Sequence, residues 1–434
     1  MTRLVGSQDV LMTGHLRDDV DALSLFVIKL ISRLAVRIIG TSTFEIIAVN
    51  GKEENDMAFN IKNDAKDEFM LMGKFRRKGY DWWWHSFTGR DAETGEEKPF
   101  FVEFYTINPG LGKDEPVFGQ LPENKEKGIR PSYLMVKVGC WGSDARQLHR
   151  FFAWRDVQIK GSPLEVSAGD CRLTESSLKG TVSVSSEETA AHPEYMSDAG
   201  KMTFDLKIDK EIPFNVGYGT STIMRKLKAF EMYWHVGGMK TRYSGTITLD
   251  GRTYTVSPET SYGYADKNWG CDFTSPWVWL ASSHLYSNTK RKVLTNSAFD
   301  IGGGCPRVFG VPLRRKLLSA FWYEGEEFEF NFSKFWTLTR TKFDCTETED
   351  EIIWKVQQES LKGCVKVLMR CRKSDMLLVN YEAPDGAKRF TRLWNGGNGV
   401  GRVHLYRRVG TRMQLVDDIS VRNAGCEYGE FNEL

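Results

Sequence analysis

From residue 41 onward the chain is written in short apolar or alternating runs separated by Gly, Pro, Asn and Asp, and this texture constrains the fold more than any other feature. Runs of that kind read as strands joined by turns. Residues 44–51, 99–107, 133–138, 202–208, 328–332, 352–356, 365–368, 377–381 and 401–407 are strand candidates. The best-defined turn is Asp250-Gly251 within residues 246–256, because a two-residue hairpin turn needs positive φ at both positions and this pair supplies it. Aromatic residues, which favour strands, are abundant (13 Trp, 15 Tyr and 26 Phe), and helical stretches are few. The expected class is all-β.

At 434 residues the chain is long enough for two or three domains with a substantial core. With 59 Lys+Arg against 57 Asp+Glu, it offers no electrostatic case for a nucleic-acid partner. The eight cysteines show no paired short spacing, which argues for a reducing, cytoplasmic setting. No Cys-x-x-Cys or His-Glu-x-x-His occurs, so no metal site is expected. The Gly-rich stretch at 396–401 leads into a strand-like run rather than a helix, unlike a dinucleotide loop, and no Gly-x-Ser-x-Gly elbow is present.

Residues 16–39 are apolar but interrupted by Asp18, Asp19, Asp21, Lys29, Arg33 and Arg37, so they do not form a bilayer span. They read as an N-terminal amphipathic helix packed on the body. The alternative is a peripheral membrane contact, with the three basic residues near lipid head groups.

Two aromatic centres stand out, Tyr80-Asp-Trp-Trp-Trp-His-Ser-Phe-Thr-Gly89 and Met232-Tyr-Trp-His-Val-Gly-Gly238, the second followed by Ser261-Tyr-Gly-Tyr-Ala-Asp-Lys-Asn-Trp-Gly270 and Pro276-Trp-Val-Trp279. Period two places Tyr264, Asp266 and Asn268 on one face of a strand and Lys267 on the other. Asp266 is then either a chemical group among aromatic walls or, if Lys267 pairs with it and holds it ionised, part of a structural brace. His85 and His235, each beside a tryptophan, read first as hydrogen-bonded pocket residues and second as proton shuttles.

These residues resemble a known family. Asp81-Trp-Trp-Trp-His-Ser-Phe-Thr-Gly89 is similar to the Glu-Trp-Trp-Tyr…Thr-Gly signature of the tocopherol cyclase and carotenoid 1,2-hydratase group. Asp266-Lys-Asn-Trp-Gly270 with Pro276-Trp-Val-Trp279 resembles the Glu/Asp-Lys-Asn-Trp-Gly…Pro-x-Trp-x-Trp signature of tocopherol cyclase-like proteins, and Asn423-Ala-Gly-Cys-Glu-Tyr-Gly429 their closing strand. The resemblance runs from about residue 80 onward. It implies two lipocalin-like antiparallel β-barrels packed together, which enclose apolar ligands. With a cut near residue 225 the expected division is an N-terminal helical segment at 1–40 and barrels at 41–224 and 225–434.

The resemblance also implies cofactor-free chemistry on a carbon–carbon double bond of a hydrophobic, prenyl-type small molecule. An acid protonates the alkene, and the tertiary cation is captured by a phenol oxygen or by water. Tyr264-Ala-Asp266 matches the Tyr-x-Asp step of the hydratase, and Trp234-His235 approximates its upstream His and Trp in reversed order. The candidate catalytic residues are therefore Asp266, Tyr264 and His235. The candidate substrate-binding residues are Trp83, Trp84, His85, Trp234, Asn268, Trp269, Trp277 and Trp279. Physical chemistry asks for the same types, since the acid must keep its proton near neutral pH and a cation needs aromatic faces that do not attack it. Two other readings use the same scaffold: a pericyclic cyclase that relies on shape, and a non-catalytic carrier of a hydrophobic molecule.

Overall fold

The computed structural model describes residues 67–112, 114–214, 229–334 and 337–431. The proposed helix and membrane-contact segment at 16–39, the strand at 44–51 and the cut near 225 lie outside them. Among the described residues no helix is long and apolar enough to cross a membrane.

Nearly all of the described chain is antiparallel strand, arranged in two large sheets. The Asp250-Gly251 turn forms as expected: both residues have positive φ (48° and 86°), and Leu249 pairs with Arg252 across it. Reading along the sheets, the first runs from Tyr80–Asp91 to Gly263–Gly270 and the second from Trp277–Ser282 to Arg412–Phe431. Met232–Leu249, Arg252–Val256 and Gly263–Gly270 all pair within the first sheet, so that sheet continues past residue 225 and the chain changes sheets between Gly270 and Trp277. The reason is register. Gly263–Gly270 pairs on one side with Tyr80–Asp91 and on the other with Met232–Leu249, which ties the second aromatic centre to the first.

Each sheet curls into a barrel around its own apolar interior. Trp83, Phe87, Phe100, Val102 and Phe104 fill the first. Val278, Leu280, Phe299, Ile301 and Trp354 fill the second. A third cluster lies between the barrels, where Trp82, Trp84, Phe101 and Tyr105 of the first meet Trp277, Trp279, Tyr381 and Phe390 of the second. Strand alternation explains the division, because Trp83 turns inward while Trp82 and Trp84 turn toward the neighbouring barrel. Tyr80–Asp91 is thus buried on both faces, and this is why its sequence shows no polar alternation. Burying each such side chain contributes roughly 1.5–3 kcal/mol. Among the described residues the barrel interiors are filled largely by side chains, and a cavity opens between the barrels.

Candidate active site

The cavity between the barrels has a volume of about 130 Å³, and its walls include Trp82, Trp84, Trp234, Phe273, Trp277 and Trp279. Among the polar side chains that break this wall are Asp266, Asn268, Tyr381 and Glu427.

Asp266 is placed by its strand. Gly263–Gly270 turns Asp266 and Asn268 toward the cavity with Tyr264 behind them, while Lys267 and Trp269 face the other way. Opposite Asp266 on the adjoining strand stands Trp84, and Trp234 stands opposite Asn268 on the other side. Asp266 Oδ2 accepts hydrogen bonds from Trp234 Nε1 at 2.7 Å and from the Tyr264 hydroxyl at 3.0 Å. Its Oδ1 is buried without a hydrogen-bond partner. Burial pushes this carboxyl up to about 8, against the pull of the two donors, and the nearby Glu427 and Glu103 charges add to the rise. The group therefore retains its proton at neutral pH.

Lys267 does not hold the acid ionised. Its ammonium is paired with Asp81, both groups fully buried, and it lies over the faces of Trp83 and Trp269 at 4.4 and 5.3 Å. The structural brace is real, but it occupies the opposite face of the strand.

The remaining candidates divide in the same way. Trp84, Trp234, Asn268, Trp277 and Trp279 meet at the cavity with Asp266. Trp83, His85, His235 and Trp269 lie away from it. Trp83 points into the first barrel and donates to the Asp67 carbonyl at 2.8 Å. His85 bonds to the Tyr243 hydroxyl through Nδ1 at 2.7 Å, and burial lowers its pKa to about 3, so it stays neutral. His235 is fully buried beside Asp67, with Nε2 3.8 Å from a carboxylate oxygen. Trp269 stacks on Tyr233 with ring centres 5.4 Å apart, in a separate cluster with Leu71 and Phe75. In Trp234-His235 it is the tryptophan that reaches the acid, because adjacent strand residues face opposite ways.

Glycines make room for the indoles. A Cβ at Gly302 would come within 2.6 Å of the Trp234 ring, and one at Gly425 would collide with Trp279.

Several groups of the site were not singled out from the sequence. Asp300 is fully buried and bonded to Tyr264 and Trp279. Glu427 accepts from Trp277 Nε1 and Asn395 Nδ2. Tyr381 receives a hydrogen bond from Lys137 Nζ at 3.1 Å and donates to Glu103 Oε2 at 3.0 Å. The usable signal was a single acid in an otherwise apolar strand, as in Ser297-Ala-Phe-Asp-Ile301. Among the described residues no group of three or more His, Cys, Asp or Glu is arranged to hold a metal ion.

A family model described as tocopherol cyclase-like matches residues 178–430, a span that includes the acid strand and all but the last residue of the second sheet. Three solved structures are similar to the chain at low identity. They are an AttH-like protein from Nitrosomonas europaea (10% identity, 84% of this chain and 97% of that one, TM-score 0.41), CghA bound to Sch210972 (10%, 82% and 90%, 0.44), and kievitone hydratase from Nectria haematococca (13%, 82% and 90%, 0.42). Comparison with curated proteins finds no match.

Proposed function

This chain belongs to the tocopherol cyclase-like family, and from that premise we propose that it is a cofactor-independent enzyme that protonates a carbon–carbon double bond of a hydrophobic, isoprenoid-like substrate held between its two barrels. The observation that carries this reading is the Asp266 carboxyl, buried at an aromatic cavity with one oxygen held by Trp234 and Tyr264 and the other without a partner.

Asp266 gives its proton to one alkene carbon, and the positive charge develops on the more substituted carbon. The carboxylate left behind is stabilised by the Trp234 and Tyr264 donors already in place, an arrangement that costs no reorganisation during the step. The faces of Trp84, Trp277 and Trp279 stabilise the cation by roughly 0.5–2 kcal/mol each without forming a bond to it. Capture by an oxygen of the substrate gives a ring, and capture by water gives an alcohol. In either case one proton is released as the new carbon–oxygen bond forms, which restores the acid.

The test begins with the molecule recovered from the purified protein and identified by mass spectrometry, then offered back to the enzyme in D2O. The product should carry one deuterium on carbon, and Asp266→Asn should bind the substrate while losing on the order of 10²–10⁴-fold in turnover. Unimpaired turnover in that variant without carbon-bound deuterium would move the assignment to a pericyclic cyclase, and unaltered ligand would make the protein a carrier.

A further inference from the structure

Asp300 belongs to the second barrel, on the strand Ser297–Gly304, and reaches Asp266 through a residue of the first. Trp279 Nε1 donates to its Oδ1 at 3.1 Å, and its Oδ2 lies 3.0 Å from the Tyr264 hydroxyl. The same hydroxyl lies 3.0 Å from Asp266 Oδ2. A phenol carries one hydrogen and so can donate to one of these carboxyls at a time. For both contacts to be hydrogen bonds, the other carboxyl must itself hold a proton and donate it to the phenol oxygen. The three groups therefore form one line in which the carboxyls compete for the Tyr264 hydrogen.

We propose that Asp300 is a positioning residue for the Asp266 acid: through the Tyr264 hydroxyl the two carboxyls hold a proton in common, and Asp300 keeps that proton available to Asp266. The proposal rests on the proton-donating role assigned to Asp266. The exchange balances within the line. Asp300 Oδ2 gives its proton to Tyr264 Oη, Tyr264 gives its own to Asp266 Oδ2, and the negative charge passes from Asp266 to Asp300.

Other ionisable groups face the pair from several strands. Glu427 comes from Arg412–Phe431, Glu103 from Glu97–Ile107 and Tyr243 from Met232–Leu249. Lys137 neutralises part of the Glu103 and Glu427 charge. Asp67, His85 and Lys210 border a small void that Asp266 also touches. The charges of Glu427 and Glu103 favour the protonated form of Asp266, but among the described residues only Tyr264 bonds to both carboxyls.

The pair can be titrated without substrate, by infrared difference spectroscopy of the protonated carboxyl bands of the full-length protein, with the Asp266 band assigned by its loss in Asp266→Asn. Asp300→Asn keeps the geometry, because an amide can accept from Trp279 and donate to Tyr264, yet it removes the shared proton. The Asp266 band should then disappear at a proton concentration at least tenfold higher than in the wild type. Disappearance at the wild-type pH overturns the proposal. Should Asp300→Asn not fold, Tyr264→Phe keeps both carboxyls and cuts the line, and its two bands should titrate at changed pH values; an unchanged two-step titration overturns the proposal equally. Turnover surviving in Asp266→Asn would instead sink the acid role and leave the shared proton standing.

Discussion

Lys267, next to Asp266 in the chain, forms its buried ion pair with Asp81 on the far side of the strand from the cavity. Burial drives Asp81 up to about 6 and lowers Lys267, while their mutual attraction opposes both shifts. Removing one member of such a pair leaves an uncompensated charge, which costs about 3–5 kcal/mol. Lys267→Met should therefore lose that much in urea unfolding at pH 8, and Lys267→Met combined with Asp81→Asn should recover most of it. The infrared titration of Asp266 should stay where it is in the double variant, since the brace and the acid occupy opposite faces. A titration that moves with Lys267 would show that the two are one electrostatic unit.

Asp266 itself predicts a pH dependence of stability. Its folded pKa of about 8 lies above the ordinary carboxylate value of 3.8, so the unfolded chain releases this proton first. The stabilisation it contributes is complete below about pH 4 and is lost as pH rises toward 8. The span corresponds to about 6 kcal/mol at 1.36 kcal/mol per unit. Asp266→Asn cannot ionise, so its unfolding free energy should fall less than that of the wild type between pH 4 and pH 9. Parallel curves for the two proteins would mean that Asp266 is ionised in the fold.

The fold class was legible because turns and alternation are local: the Asp250-Gly251 hairpin and the Tyr264/Asp266/Asn268 face both follow from backbone geometry. Which face meets which barrel was not legible. Trp83 and Trp84 are adjacent and chemically identical, and only long-range pairing decides that one fills a barrel and the other lines the cavity. The same ambiguity separates Trp234 from His235. Asp300 was hidden for a different reason, since it lies outside every motif of the sequence, whereas Glu427 stands within Asn423–Gly429 and only the fold shows that it reaches the site.

Gly302 gives a steric test of the Trp234 contact. A methyl group there would meet the indole at 2.6 Å and must displace either the ring or the strand. Overpacking of this kind costs about 1–3 kcal/mol. Displacing the ring also weakens its hydrogen bond to Asp266, and a bond to a charged group is worth about 1.5–3 kcal/mol. Because that donor favours the carboxylate, Gly302→Ala should raise the pH at which Asp266 loses its proton and lower turnover about tenfold or more. Turnover and titration both at wild-type values would mean that Trp234 is not fixing the acid.

Lys137 and Glu103 test how the interface tolerates charge. They sit on paired strands, 3.6 Å apart and fully buried, with the Tyr381 hydroxyl of the second barrel bonded to both. Burial pushes Glu103 up to about 7 and lowers Lys137, and the lysine is the main influence restraining the carboxyl from rising further. In Lys137→Met the carboxyl loses that restraint, so its folded pKa moves further above its unfolded value. A raised carboxyl contributes stability at low pH and loses it as pH increases through the folded value. At pH 5.5 Glu103 is already neutral and the variant escapes the cost of burying an ammonium, so it should be as stable as the wild type or more so. At pH 8.5 the wild type has a compensated pair, whereas the variant must either bury a bare carboxylate or hold a proton against solution, and it should be less stable by about 3 kcal/mol or more. Urea unfolding at the two pH values measures the crossing directly; a deficit of equal size at both would assign Lys137 a packing role and leave Glu103 protonated throughout.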